Sequence, residues 1–233
     1  MNWEQLLTSP PPATGWDLGE NESLVVHRSG PGEFHCAAED VPPGTFEVGT
    51  VGLQAVHAEA VSPVLTRLKG AAEGTSTAAV IVPTAWMRSF LLEADKLPRK
   101  ESEVHDVVRW RLKKLLPVAP TDLRLSVVRL PEVLGRRQIL VLAGIDRAVA
   151  SLESVFRGIG VEPGLITTRL FALVPRTPPA DRPLMLIQME PGFLSLLLLV
   201  DGTPRLLRTK MLPSGAAVID AIVRELKLDL EFI

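Results

Sequence analysis

The sequence predicts a two-lobed α/β domain, and three observations carry that expectation. Strand-like and helix-like hydrophobic patterns alternate along the chain. Hydrophobic residues make up 46% of its 233 positions, enough for one large core or two packed ones. Between Pro175 and Pro183 stand four prolines in nine residues, a linker composition that separates the lobes.

Taken in order, Pro10 to Pro12 cut off a leading segment, and Ala13 to Arg28 and Glu33 to Glu39 read as a meander of short strands turning at Gly19-Glu20-Asn21 and Ser29-Gly30-Pro31-Gly32. Val61, Val64, Leu65 and Leu68 fall at helical spacing. Ala78 to Pro83 is a buried strand, and Arg88 to Ala94 a mixed polar and apolar segment before a break at Leu97-Pro98. A helix is predicted over Ser102 to Leu116. Val104, Val107, Val108, Leu112 and Leu115 share its inner face, acids crowd its start, bases its end, and Pro117 closes it.

Leu123 to Leu130 and Gln138 to Ala143 read as strands joined across Gly135-Arg136-Arg137. They are followed by a helix from Asp146 to Arg157 with Val149, Leu152, Val155 and Phe156 inward, ended by Gly158 and Gly160. Beyond the linker, Leu184 to Met189, Phe193 to Val200 and Arg205 to Met211 form a three-stranded meander with turns at Glu190-Pro191-Gly192 and Asp201-Gly202. A last amphipathic helix opens at Ser214-Gly215 and turns Val218, Ile219, Ile222, Val223 and Leu226 inward.

Charge and composition exclude several functions. Twenty-five basic residues against 27 acidic ones give a formal charge of -2, so no global field gathers nucleic acid or an anionic membrane. The bases Arg109, Arg111, Lys113 and Lys114 are explained by the helix dipole and a solvated face. Cys36 is the only cysteine, which excludes an intramolecular disulfide and reads as a small, semi-buried hydrophobe. The amino terminus carries no export signal. The apolar stretch Leu184 to Val200 is broken by Gln188, Glu190, Pro191 and Gly192, so it reads as two strands and not as a span.

No catalytic pattern stands out. His27, His35, His57 and His105 lack the i, i+4 spacing of a zinc site. Ser195 lacks the second glycine of a nucleophile elbow, and both common phosphate-cradle motifs are missing. The carboxylates Glu20, Glu22, Glu101 and Glu103 sit in polar surroundings that supply no desolvation.

From residue 78 onward the order of elements resembles the PilM family of actin-like type IV pilus assembly proteins, with the cytoplasmic domain of GspL-type secretion proteins as a near neighbour. The residues that carry the resemblance are Ala79-Val80-Ile81-Val82-Pro83 with Arg88 and Leu97-Pro98, then Leu115-Leu116-Pro117 running into Thr121-Asp122-Leu123-Arg124-Leu125. Gln138 to Ala143 followed by Asp146 to Gly160, Glu162-Pro163 and Leu165 to Leu173 continue it, and Asp201-Gly202, Arg208 and Ser214-Gly215 complete it.

This resemblance implies an actin-like (ribonuclease H-like) fold: a leading segment over 1–12, a first lobe over 13–83, an inserted α/β subdomain over 84–164, a return and linker over 165–180, and a second lobe over 181–233. With Ile233 as its last residue, that second lobe is expected to be incomplete. It also implies two phosphate loops. The first would be Gly15-Trp16-Asp17-Leu18-Gly19, where Glu20, Asn21 and Glu22 replace small hydroxyl residues and repel phosphate. The second would be Gln188-Met189-Glu190-Pro191-Gly192, where proline removes a backbone donor. Asp17, Gly19, Glu190, Gly192 and Gly215 are thus the weak cofactor-binding positions of a degenerate nucleotide site, with no catalytic residue and no metal of its own.

The function implied is that of a cytoplasmic scaffold, reaching the inner membrane only through partners, without nucleic acid binding or membrane insertion. A groove between first lobe and inserted subdomain would hold a PilN-like peptide tail of an inner-membrane pilus component, alongside other assembly proteins. The alternatives are a divergent actin-like ATPase, in which Asp17 and Glu190 would serve magnesium and ATP, and a GspL-like type II secretion adaptor.

Overall fold

The structure is a computed structural model describing residues 12–72, 76–94, 97–132, 135, 137–174, 182–212 and 223–224. The chain divides into two compact units, Met1–Thr177 and Pro178–Ile233. Of the expected terminal helix only residues 223–224 are described; they are helical, and Val223, expected to face inward, is 44% exposed. Gly215 lies outside the described residues.

The first unit is built on a five-stranded mixed sheet ordered β10-β6-β1-β2-β3. Strands β1 (Thr14–Asp17), β2 (Glu22–Gly30) and β3 (Glu33–Asp40) form the antiparallel meander read from the sequence. Strands β6 (Thr77–Val82) and β10 (Glu162–Thr168) add to the free side of β1 in parallel. Alternation places Trp16, Val25, Val80 and Val82 in the core.

Two amphipathic helices contribute to that core. Helix α1 (Ala58–Lys69) buries Val61, Val64, Leu65 and Leu68. The helix from Asp146 to Gly158, called α3 below, buries Val149, Leu152, Val155 and Phe156, as its spacing predicts. Its Phe156 meets the Trp16 ring edge to face, at 5.3 Å between centroids and 88° between planes.

A second sheet in the same unit is antiparallel, with β9 (Gln138–Ile145) between β7 (Arg88–Glu93) and β8 (Leu123–Arg129). Arg88 to Ala94, read only as a mixed segment, is therefore largely strand. Its side chains are partly buried on both faces, which blurs the alternation that marks a strand with one wet face. Helix α2 (Glu101–Leu112) buries Val104, Val108 and Leu112. It is shorter than predicted. The backbone tightens into i to i+3 bonds after Leu112, with the Lys114 N–H donating to Arg111 O and Leu115 N–H to Leu112 O. That tightening turns Leu115 outward and Leu116 inward, reversing the expected burial of Leu115.

A hairpin the sequence reading passed over, β4 (Phe46–Gly49) and β5 (Gly52–Val56), packs against the turn Thr84–Trp86 where the chain leaves β6 for β7. Phe46 meets Trp86 at a tilt, with 4.5 Å between ring centroids and 49° between planes. Cys36 also departs from expectation, being exposed on β3, an edge strand.

Ionic contacts fasten α3 to both sheets. Arg124 of β8 donates to Asp146 at 2.8 Å and to Glu153 at 2.5 Å, and the Glu153 bond foremost raises its pKa above the ordinary guanidinium value. Arg157 of α3 donates to Glu162 of β10 at 3.0 Å, and that bond holds the Glu162 carboxyl below its ordinary pKa. A folded-state pKa that is lowered gives stability above the ordinary carboxylate range and loses it as pH falls through the folded value. Glu162→Gln should therefore lower the thermal midpoint slightly at neutral pH, with the difference from wild type shrinking on acidification. Melting curves across pH check this; a difference that widens in acid would contradict it.

The second unit contains β11 (Leu184–Glu190), β12 (Phe193–Val200) and β13 (Thr203–Met211) as an antiparallel meander. Asp201 and Gly202 both have positive φ, 50° and 70°, the geometry of a tight two-residue hairpin turn. Buried Ser195 shares a hydrogen bond with Thr209 across β12 and β13 at 3.3 Å, which gives its hydroxyl a structural partner.

Candidate functional site

In open α/β sheets ligands sit beyond the carboxyl ends of the strands, and in the first unit three parallel strands, β1, β6 and β10, end side by side. Asp17 closes β1, Thr84 follows β6, and Thr168 closes β10 just before Arg169 opens the short helix α4 (Arg169–Leu173). The register pairs Asp17 with Ile81 and Thr168 with Val82, so these ends lie at one level.

Arg169 fills this position. Its Nε donates to Asp17 Oδ1 at 2.8 Å and its Nη2 to the Leu18 carbonyl at 2.9 Å. Both side chains are about 70% buried, so the pair is shielded from salt more than a surface pair would be. Thr84 Oγ1 accepts from the Leu170 N–H at 3.2 Å, fixing the start of α4. The Thr168 hydroxyl is fully buried without a partner among the described residues.

Gly19 is explained by the same contacts. A Cβ there would lie 2.6 Å from the Glu22 carbonyl oxygen and 3.2 Å from Arg169 Nη2. The loop itself excludes a side chain, so the glycine needs no phosphate to account for it. The Asp17 carboxylate is thus held in an ion pair with Arg169. Sequence reasoning had not singled out Arg169, since a pair 152 residues apart leaves no local signal.

Glu190 and Gly192 stand in the second unit, at the β11–β12 turn. Gly192 has φ of +76° with open space around it, and its carbonyl accepts from the Leu212 N–H at 2.8 Å. Pro191 contributes no donor to that turn. Asp17 and Gly19 thus share one loop in the first unit, Glu190 and Gly192 share another in the second, and Gly215 is not among the described residues.

Two of the four histidines have local partners. His27 Nδ1 bonds Thr14 at 3.0 Å, and His57 Nε2 meets Glu47 at 2.7 Å. Among the described residues no group of three or more His, Cys, Asp or Glu side chains comes together as a metal site.

A second feature of the first unit is an open groove of about 210 Å³ between α2 and β8, lined by Glu101, Val104 and His105 on one side and Leu125, Val127 and Arg129 on the other. β8 is an edge strand. Leu130 N–H donates to Gln138 O, so by antiparallel alternation the backbone groups of Leu125, Val127 and Arg129 point away from β9. That leaves a half-apolar slot beside strand edges open to a further strand.

No family model and no curated protein matches the chain. Solved structures do. The chain is similar to one in the PilM-PilN type IV pilus biogenesis complex, with a TM-score of 0.71 and 24% identity, covering 94% of this chain and 67% of that one. It is similar to the cytoplasmic domain of EpsL, an inner membrane component of the type II secretion system of Vibrio cholerae, with a TM-score of 0.55, 11% identity and coverage of 85% and 70%. A Bacteroides thetaiotaomicron protein with an actin-like ATPase fold and unknown function aligns at a TM-score of 0.51 and 6% identity, over 97% of this chain and 79% of that one. The chain has a PilM-like, actin-like fold of mixed α/β architecture, in agreement with the resemblance read from the sequence. Among the described residues no helix is long and apolar enough to cross a membrane.

Proposed function

We propose that this chain is a cytoplasmic scaffold of a type IV pilus or related secretion machine, holding an extended peptide tail of an inner-membrane component, and that it does not hydrolyse ATP. The observation that carries the reading is the Asp17–Arg169 pair: the carboxylate that would serve magnesium in a nucleotide-binding relative is bonded at 2.8 Å to a guanidinium of the same chain. The likeness to the PilM-PilN structure supports the partner, a PilN-like tail. In this reading residues 13–83 with 165–180 form the first lobe, 84–164 its inserted subdomain, and 181–233 belong to the second lobe.

The docking place this reading favours is the α2–β8 groove, which lies within residues 84–164 and not, as expected from the resemblance, between them and the first lobe. A tail added along β8 would gain main-chain hydrogen bonds from Val127 and its neighbours, with apolar side chains placed against Val104 and Leu125. Fluorescence anisotropy with labelled tail peptides of inner-membrane pilus proteins should show micromolar binding. Val127→Pro removes an outward donor while leaving the ladder to β9 intact, and is expected to weaken binding about tenfold, the loss of roughly one good hydrogen bond. Failure of every such peptide to bind would remove the reading. Magnesium-dependent micromolar ATP binding by the purified chain would favour the actin-like ATPase instead.

A further inference from the structure

We infer that the carboxyl-terminal tip of α2 is a docking surface for an anionic lipid bilayer. The sequence explains Arg109, Arg111, Lys113 and Lys114 by the helix dipole, but the structure places two large apolar side chains among them that the dipole does not explain. Trp110 is 62% exposed and Leu115 is 53% exposed.

The tip is well anchored. Leu112 and Leu116 are buried beneath it. Arg109 Nε donates to the Pro120 carbonyl at 3.3 Å, and Arg111 donates to the Glu93 carbonyl, so these two side chains tie the tip to the segments on either side. Lys113 and Lys114 are exposed, and Lys114 Nζ lies 4.6 Å from the Trp110 ring centroid. From Arg109 to Thr121 there is no acidic residue, with Asp106 and Asp122 standing at the borders.

Chemistry selects the occupant. A bilayer interface takes an indole at headgroup level, an aliphatic side chain just below it and ammonium groups among the lipid phosphates, and all three are here on one helix end. A nucleic acid duplex would meet the cations but would leave Trp110 and Leu115 in water. Cations near an anionic surface add attraction one by one and lose it with salt. With the four bases of the tip set apart, the rest of the chain has 21 basic residues (25 less 4) against 27 acidic ones, so the tip is the part that would face the lipid.

The test is co-sedimentation of the full chain with vesicles of phosphatidylglycerol and phosphatidylcholine, against vesicles of phosphatidylcholine alone. Binding is expected to the anionic vesicles only. The double variant Lys113→Glu/Lys114→Glu should weaken it by more than about tenfold. Trp110→Ala/Leu115→Ala should weaken it about fivefold or more, because both side chains contribute apolar burial. Thermal melts of both variants should match wild type, since the altered side chains are exposed. Binding of tail peptides in the α2–β8 groove should also be unchanged, which separates this inference from the scaffold reading. Absence of binding to anionic vesicles, or wild-type binding by both variants, would overturn it. So would loss confined to the charge-reversed variant, which marks a purely electrostatic surface of the kind a nucleic acid or an acidic protein meets.

Discussion

Gly52→Ala is expected to destabilise the protein by about 3–5 kcal/mol, enough to leave little folded material if total stability lies in the usual range of roughly 5–15 kcal/mol. Two costs combine. Gly52 has φ of +115°, a backbone region in which side chains are strained. A Cβ at this position would also stand 2.3 Å from the Trp86 carbonyl oxygen and 2.8 Å from its carbonyl carbon. That obstacle is backbone, held by the turn in which Trp86 N–H donates to Pro83 O at 3.0 Å, and it cannot swing away. Gly32→Ala separates the two costs, since Gly32 has φ of +79° but nothing within 4 Å, and it should lose only about 1 kcal/mol. Urea denaturation of the three proteins gives the comparison; equal losses at Gly52 and Gly32 would show that the contact with Trp86 is unimportant.

Trp16→Ala should cost about 3–5 kcal/mol, the range for removing a large aromatic side chain from a packed interior. Trp16 is fully buried at the centre of the five-stranded sheet, between Val25 and Val80 in register, with Phe156 against its edge. Its indole N–H has no partner among the described residues, so no hydrogen bond to them is lost with it. Trp16→Phe keeps most of the volume and should lose under about 2 kcal/mol. Because Trp16 precedes Asp17 on β1, the alanine variant is also expected to loosen the Asp17–Arg169 pair, visible as faster amide exchange at Leu18 and Leu170. A mild loss of stability in Trp16→Ala would mean that the core closes over the space.

Local chemistry made much of this fold legible. Val61, Val64, Leu65 and Leu68 repeat at helical spacing, and so do Val149, Leu152, Val155 and Phe156; both sets are buried as read. The turns at Pro31-Gly32, Pro191-Gly192 and Asp201-Gly202 announce their hairpins through residues that tolerate positive φ. The β4–β5 hairpin was missed for the converse reason. Its strands have four and five residues, and its turn, Thr50-Val51, lacks the Asn-Gly or Asp-Gly signature; only the alternation of Phe46 with Val48 hints at it. Leu115 was misplaced because helical periodicity continues in the sequence past the point where the backbone tightens.

The site was less legible than the fold. Asp17 and Gly19 were found through the resemblance, but the partner that changes their meaning, Arg169, follows them by about 150 residues and sits in no motif. Ion pairs of that separation are set by strand order, which single-sequence patterns do not encode. Trp110 stands off the inner face read for its helix, and its exposure agrees with that placement.

The strand order has a consequence for synthesis. The β1–β2–β3 meander is complete once residue 40 has left the ribosome, and β7, β8 and β9 can pair soon after residue 145. The outer edge of β6 stays bare until residues 162–168 arrive to cover it. From the completion of β6 at Val82 to the arrival of Glu162, about 80 residues of synthesis, the nascent chain therefore carries a finished meander beside an unguarded parallel edge. Pairings between distant segments are slow to form, and bare edges invite foreign strands. A ribosome pausing between Val82 and Glu162 would prolong that exposure, and release of the chain there would free a product with β6 as a sticky margin.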